Sequence, residues 1–191
     1  MYTIQDTFTK EVIIKNSRFI AIASFVKSLE DVSSFLRNVK ESYPKATHYT
    51  YAYRFLDIER SSDDGEPGGT AGMPILNVLE KQEMIYTIVV VVRYFGGIKL
   101  GAGGLVRAYS KACREVLDIS QKIELIPASK VLIHTDYSKV KELDYLLKSS
   151  VILEKKFTDD VCYLVLLDNI NILEGHFSYE VIGEGYIKKE L

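Results

Sequence analysis

The sequence predicts an α+β chain of two domains, over residues 1–125 and 129–191. Three observations carry that expectation. Apolar runs of strand length, such as Ile85–Phe95, are interspersed with stretches of helical periodicity, such as Leu105–Ile119. The pattern then changes after a proline-bearing segment, Ile123–Ala128. The charge balance changes at the same place: residues 1–128 carry 16 basic and 15 acidic side chains, whereas residues 129–191 carry 8 and 11. The length of 191 residues accommodates one or two domains of ordinary size, about 100–200 residues each.

The elements can be justified in order. Glu11–Lys15 and Arg18–Lys27 read as short strands joined by a turn at Asn16-Ser17. Ser28, with Asp31 three residues on, is a helix-capping signal, and Val32, Phe35, Leu36 and Val39 follow at helical spacing until Pro44. Ala46–Asp57 reads as a strand with two faces. Thr47, Tyr49, Tyr51, Tyr53 and Phe55 form a bulky face expected to pack on helices. His48, Thr50, Ala52 and Arg54 form a sparser face expected to meet solvent or a partner. Ile58–Gly72, with four glycines and Pro67, is expected to be a long loop without regular structure. Met73–Lys81 resumes helical spacing, with Pro74 in its first turn. Ile85–Phe95 is apolar on both faces, as in an interior strand. Leu105–Ile119 is a helix with Leu105, Val106, Tyr109, Ala112, Cys113, Val116 and Leu117 inward and a stripe of Arg107, Lys111 and Arg114 outward.

Ile123–Ala128 is the expected linker. Beyond it come a strand at Val131–His134, a helix at Ser138–Lys148 and a hairpin of Val151–Phe157 with Val161–Leu167. A helix compatible with Asn169–Phe177 and a last strand at Val181–Ile187 complete the chain. That β-α-β-β-(α-β) order fits a small ferredoxin-like domain.

Composition excludes several classes of function. A formal net charge of −2 excludes a histone-like or tail-driven nucleic-acid binder, although a local basic patch stays possible. The two cysteines, Cys113 and Cys162, lie far apart and outside any C-x-x-C pair, so neither a zinc motif nor a disulfide framework is legible. The first twenty residues lack the apolar core of a signal peptide, and Ile85–Val92 is too short to span a bilayer. A cytoplasmic protein without a membrane partner is expected.

Two neighbouring segments break the charge balance. Asp57–Glu66 holds five acids and one base, whereas Met84–Arg114 holds Arg93, Lys99, Arg107, Lys111 and Arg114 and no acid. Nine of the twelve glycines fall between Gly65 and Gly104. Gly101, Gly103 and Gly104 open a helix, a place where backbone N–H groups and the helix dipole favour an anion, with Lys99 and Arg107 flanking it. The glycine pattern completes neither a P-loop nor a dinucleotide fingerprint, and a plain strand-to-helix turn explains it equally well. Asp63, Asp64 and Glu66 admit three readings: ligands of a divalent cation, a general acid or base, or turn and cap formers tying this loop to the basic segment. His48 lies on the sparse strand face with no nucleophile beside it in sequence. No catalytic residue, cofactor or metal is assigned.

ATHYTYAYRF, SSDDGEPGGTAGMPIL and VVVVRYFGGIKLGAGGLVRAYSKA, in that order, resemble the hallmark blocks of the IMPACT/YigZ family, over about Arg18 to Ala112. The part from Ser129 resembles the small ferredoxin-like domain of bacterial members. Gly68 stands where the family block usually has Ser, and Met73 where Arg is common, which trims the basic surface. The resemblance implies a ribosomal protein S5 domain 2-like first domain, with helices on one sheet face and the other open. The pair of domains would then be similar to the end of elongation factor G. It also implies a link to regulation of translation.

Three functions follow as expectations. In the first, RNA or the ribosome contacts Arg54, Arg93, Lys99, Arg107 and Lys111, with Gly101, Gly103 and Gly104 supplying backbone donors. In the second, the domain is a protein-interaction module without a ligand of its own. In the third, it is an enzyme of the S5-like kinase type acting on a phosphorylated ligand, with Asp63 or Asp64 holding Mg²⁺.

Overall fold

The computed structural model describes residues 1–190, which divide into two compact units, 1–123 and 124–190. In the first unit, β1 (Tyr2–Ile4) is tied to the segment before the central strand through Tyr2 N–H to the Glu83 carbonyl and Ile85 N–H to the Tyr2 carbonyl. β2 (Phe8–Ile14) and β3 (Ser17–Phe25) form a hairpin. Its turn is Lys15-Asn16, one residue earlier than the sequence suggested. Both residues have positive φ, 46° and 63°, as a two-residue turn matched to the strand twist requires.

α1 (Leu29–Ser42) starts as expected: the Ser28 hydroxyl accepts from Asp31 N–H at 3.1 Å, and the Asp31 carboxylate accepts from Lys27 N–H at 2.9 Å. β4 (His48–Arg54), β5 (Glu59–Ser62), α2 (Gly72–Lys81), β6 (Thr87–Tyr94) and α3 (Ala102–Asp118) complete this unit. The sheet order is β2-β3-β6-β4-β5, with antiparallel pairing between neighbours.

Three expectations change here. The first concerns Ile58–Gly72, which is not wholly irregular. Its start forms β5, an edge strand paired Arg54↔Glu59 through Tyr51↔Ser62. Short polar edge strands carry no apolar alternation, so periodicity does not reveal them.

Second, the sparse face of β4 is not open. Ala52 and Thr50 are fully buried, and Ala52 joins Ala21, Ala23, Val89 and Val91 in a core with α2 and α3. Small side chains here make a close seat for two helices rather than a solvent face. The aromatic face does pack on a helix, with Tyr53, Ile88, Val90 and Val92 meeting Val32 and Val39 of α1. Both sheet faces therefore carry helices.

Third, α3 starts three residues early, at Ala102. Val106 turns outward at 38% exposure, whereas Ala108 takes the inward place.

In the second unit, β7 (Lys122–Thr135) runs straight through the expected linker, with Ile123, Leu125 and Ala128 buried and Pro127 exposed. α4 (Val140–Leu146), β8 (Val151–Phe157), β9 (Val161–Leu167) and β10 (Ser178–Glu190) follow. The strands are ordered β8-β9-β7, with β10 also paired to β7. The helix expected at Asn169–Phe177 shrinks to one 3₁₀ turn, Ile170–Leu173, begun by the Asn169 side chain accepting from Asn171 N–H. No helix of the described residues is long and apolar enough to cross a membrane.

Candidate functional site

The candidate site of the first unit lies at the end of the sheet where β4 begins and β6 ends. Strand register sets Phe19, Arg93 and His48 side by side across β3, β6 and β4. The Arg93 guanidinium sits over the Phe19 ring at 5.3 Å and the Phe95 ring at 5.5 Å. Tyr109 of α3 packs edge-on to Phe19, with centroids 5.2 Å apart. The residues between β5 and α2 then fold back over this end.

Each acidic residue of that returning segment has a structural task. The Asp63 carboxylate accepts from the N–H groups of Gly69 (2.8 Å), Ala71 (3.0 Å) and Gly72 (2.8 Å). It thereby caps α2, whose own N-cap residue Ala71 has no side-chain bond to offer. Burial alone would raise its pKa, but these three backbone donors outweigh it and hold the carboxyl below its ordinary range. The Asp64 carboxylate accepts from Tyr49 N–H at 2.6 Å. Its carbonyl accepts from His48 Nδ1–H at 2.8 Å, which orients the ring with Nε2 towards Glu66.

Glu66 is buried. Its Oε1 accepts from Arg93 Nη1 at 2.5 Å and from the Tyr109 hydroxyl at 2.6 Å, and His48 Nε2 lies 3.8 Å away. Burial, together with the bond to Glu66, pushes the Tyr109 hydroxyl far above the usual phenol range, so it stays a donor. The three carboxylates thus serve separate partners. Of the three readings left open by the sequence, caps and a tie to the basic segment describe what these groups do.

Above this network lies a cleft of about 450 Å³. Thr47, His48, Glu66, Pro67 and Arg93 line one side, and Phe95, Lys99, Leu100, Gly101, Ala102 and Leu105 line the other. The Arg93 side chain is only 6% exposed, and its Nε has no hydrogen-bond partner among the described residues. A buried guanidinium N–H without a partner is rare and stands out in a native site. The N-terminus of α3 opens beside it. Gly101 has a φ of 72°, a conformation that disfavours any side chain, and no side chain caps the helix. The loop reaching it is pinned at Gly96, where an added Cβ would fall 2.1 Å from the Asn16 backbone.

The other sequence-nominated residues divide. Lys99 is exposed at the cleft rim. Gly103 and Gly104 lie in the first turn of α3. Arg107 and Lys111 line an adjoining groove of about 180 Å³, with Lys15 and Leu100. Leu100 therefore stands between the two concavities.

Arg54 does not join them. It sits at the far end of β4, about 20 Å along the strand from His48, and bonds Glu59 at 3.1 Å and the Met84 carbonyl at 3.3 Å. Sequence reasoning passed over Tyr109, read only as part of an apolar face, and also Lys15 and Phe95. A buried tyrosine needs a partner for its hydroxyl, and that need was the available signal.

The residues that build this cleft also fall in the region shared with known proteins. The pattern of the Impact N-terminal domain matches residues 15–117. The chain belongs to the IMPACT family. IMPACT family member YvyE of Bacillus subtilis (strain 168) is 38% identical over 158 residues, covering 81% of this chain and 73% of that relative. YigZ of Escherichia coli (strain K12) is 34% identical over 139 residues, covering 70% and 68%. A crystal structure of a hypothetical protein aligns with a TM-score of 0.65 at 28% identity, covering 95% of this chain and 96% of that one. The match to the IMPACT pattern takes in β3, α1, β4, α2 and β6 and nearly all of α3, and so every element that builds the cleft.

Proposed function

We propose that this IMPACT-family protein is a translation-associated regulatory protein that binds RNA or the ribosome by seating a phosphate at the α3 cleft. The observation that carries this reading is the unpartnered Nε of buried Arg93 in a cleft that also receives the uncapped start of a 17-residue helix. Arg93 and Glu66 neutralise one another, so the helix dipole and Lys99 set the sign of the cleft, and that sign is positive. Arg107, Lys111 and Lys15 continue the positive surface along the adjoining groove, where following phosphates would lie. Arg54 has no part in this contact.

Family membership supports the translation link. The β8-β9-β7-β10 adjacency supports a ferredoxin-like second unit, and an S5 domain 2-like first unit belongs to the same proposal, with both of its sheet faces covered by helices rather than one left open. The cytoplasm is the compartment this role requires.

Binding of the purified chain to ribosomes or total RNA, followed by co-sedimentation against salt, tests the reading. Phosphate contacts by Lys99, Arg107 and Lys111 alone predict a loss of about 20- to 40-fold in affinity for a fourfold rise in salt. Arg107→Glu and Lys99→Glu should each weaken binding without altering the fold, because both side chains are exposed. Binding that ignores salt and both substitutions would sink the phosphate contact. A second reading, a partner protein, draws on Phe95 and Ile98, which are 46% and 45% exposed in the loop that forms the cleft wall. Retention of one protein after nuclease treatment, lost in Phe95→Ser, would favour it.

A further inference from the structure

Outside the cleft, the second unit holds a cluster of three different metal-binding side chains. His134 is the last but one residue of β7 and Cys162 the second of β9, and antiparallel register places them directly opposite, on one face. Asp160 closes the β8–β9 turn two residues before Cys162, which brings it to the same side. His134 Nδ1 lies 3.0 Å from Cys162 Sγ and 3.2 Å from Asp160 Oδ2, and the three donor atoms fall within 4.8 Å of one another.

The arrangement does not suit acid–base catalysis. A nucleophile–histidine–carboxylate relay uses both ring nitrogens, one for each partner. Here the thiol and the carboxylate both lie nearest Nδ1, at 3.0 and 3.2 Å, with Nε2 3.8 Å from the sulfur. With a proton on Nδ1, that N–H is shared between two acceptors. Without it, the thiol can donate, but the carboxylate then faces a lone pair. A cation at the common point satisfies all three donors at once.

We propose that His134, Asp160 and Cys162 bind one borderline-soft divalent cation of the Zn²⁺ class, with a fourth position left to water. Tetrahedral Zn²⁺ with Zn–N of about 2.0 Å and Zn–S of about 2.3 Å spaces its donors by roughly 3.3–3.6 Å. The N–O spacing of 3.2 Å matches that, the N–S spacing of 3.0 Å would open by about half an ångström, and all three donors lie within 4.8 Å of one another. Thiolate and carboxylate together balance a double positive charge, and a sulfur–nitrogen–oxygen set favours Zn²⁺ or Co²⁺ over Mg²⁺ or Ca²⁺.

The surroundings agree. The Thr158 hydroxyl donates to the Asp160 carbonyl at 3.2 Å and lies 3.4 Å from Asp160 Oδ1, the oxygen turned away from His134, which holds the turn that carries the carboxylate. Lys156, opposite Cys162 on β8, directs its ammonium to Glu154 at 3.2 Å. The cluster takes no part in the core, because Val161, Tyr163 and Val165 point to the other face and are buried. Half-exposed side chains at His134 and Asp160 give the ion a path from solvent.

Titration of the untagged full chain with Co²⁺, read by absorption, tests this. A thiolate-to-cobalt charge-transfer band should grow to saturation at one Co²⁺ per chain and vanish on addition of Zn²⁺, but persist in Mg²⁺. Cys162→Ser should abolish the band with an unchanged circular dichroism spectrum. His134→Ala and Asp160→Ala should each weaken affinity by at least about tenfold. Cys113 is fully buried and cannot substitute. Absence of a band, a band intact in Cys162→Ser, or affinity indifferent to His134→Ala and Asp160→Ala would each overturn the proposal.

Discussion

The two units place a histidine and a carboxylate together in opposite surroundings. In the first, Glu66 is 3% exposed in its side chain and gathers Arg93 and Tyr109, with His48 close by. In the second, Asp160 is 59% exposed and meets His134 and Cys162 at the surface. The same kinds of group therefore do different work. Buried, an ion pair must be complete, because each partner left alone in a low-dielectric interior is strongly destabilising. Exposed, the groups are held weakly by one another and stay available to an outside ligand. Asp63 stands between these extremes: half-buried, and satisfied by three backbone donors rather than by a counter-charge.

The largest effect that could break this contrast comes from Glu66→Gln. It keeps the shape but leaves the Arg93 charge unpaired, so the unfolding free energy of the first unit should fall by about 3–5 kcal/mol in urea titration. A loss below about 1 kcal/mol would mean that Arg93 escapes to water and that the pair is not structural. Asp63→Asn should be smaller, about 1–2 kcal/mol at neutral pH, through the weakened cap on α2. Its pH dependence sharpens the point. Asp63 has a folded pKa below its unfolded value. Its contribution is therefore complete above that unfolded value, near 3.9, and disappears as pH falls through the lower folded one. The wild-type chain should lose more stability than Asp63→Asn on acidification below about pH 4. The smallest effect is expected at the surface: Asp160→Ala or His134→Ala should change stability by no more than about 0.5 kcal/mol in metal-free buffer. Zn²⁺ should then separate them, stabilising the wild-type second unit by about 2.7 kcal/mol at a hundredfold excess over Kd and the variants by much less.

Much of the first unit was legible. The Ser28 cap, the apolar run of β6 and the helical stripe of α3 are local signals, written by propensity and periodicity within a few residues of each other. The cleft was legible in outline, since Lys99, Gly101, His48 and Glu66 were nominated and do meet there. Its interior was not. Arg93 was counted as a free base and Glu66 left among three readings, because their pairing joins residues 27 positions apart through a loop whose path no local pattern dictates. Arg54 was grouped with the basic residues for the converse reason: charge along the chain does not record which end of a strand a residue occupies.

The sequence by itself determined the helices and the main strands, because amphipathic spacing and capping act over short range. It also carried the blocks that mark the IMPACT family. Only the tertiary structure decided which face of β4 is covered, since small residues suit open solvent and close helix packing alike. It alone turned the acidic loop into a cap and a buried ion pair. And it alone brought His134 to Asp160 and Cys162, because that meeting rests on the β7–β9 register, and hydrogen-bonded register between distant strands is fixed by the packing of the whole sheet.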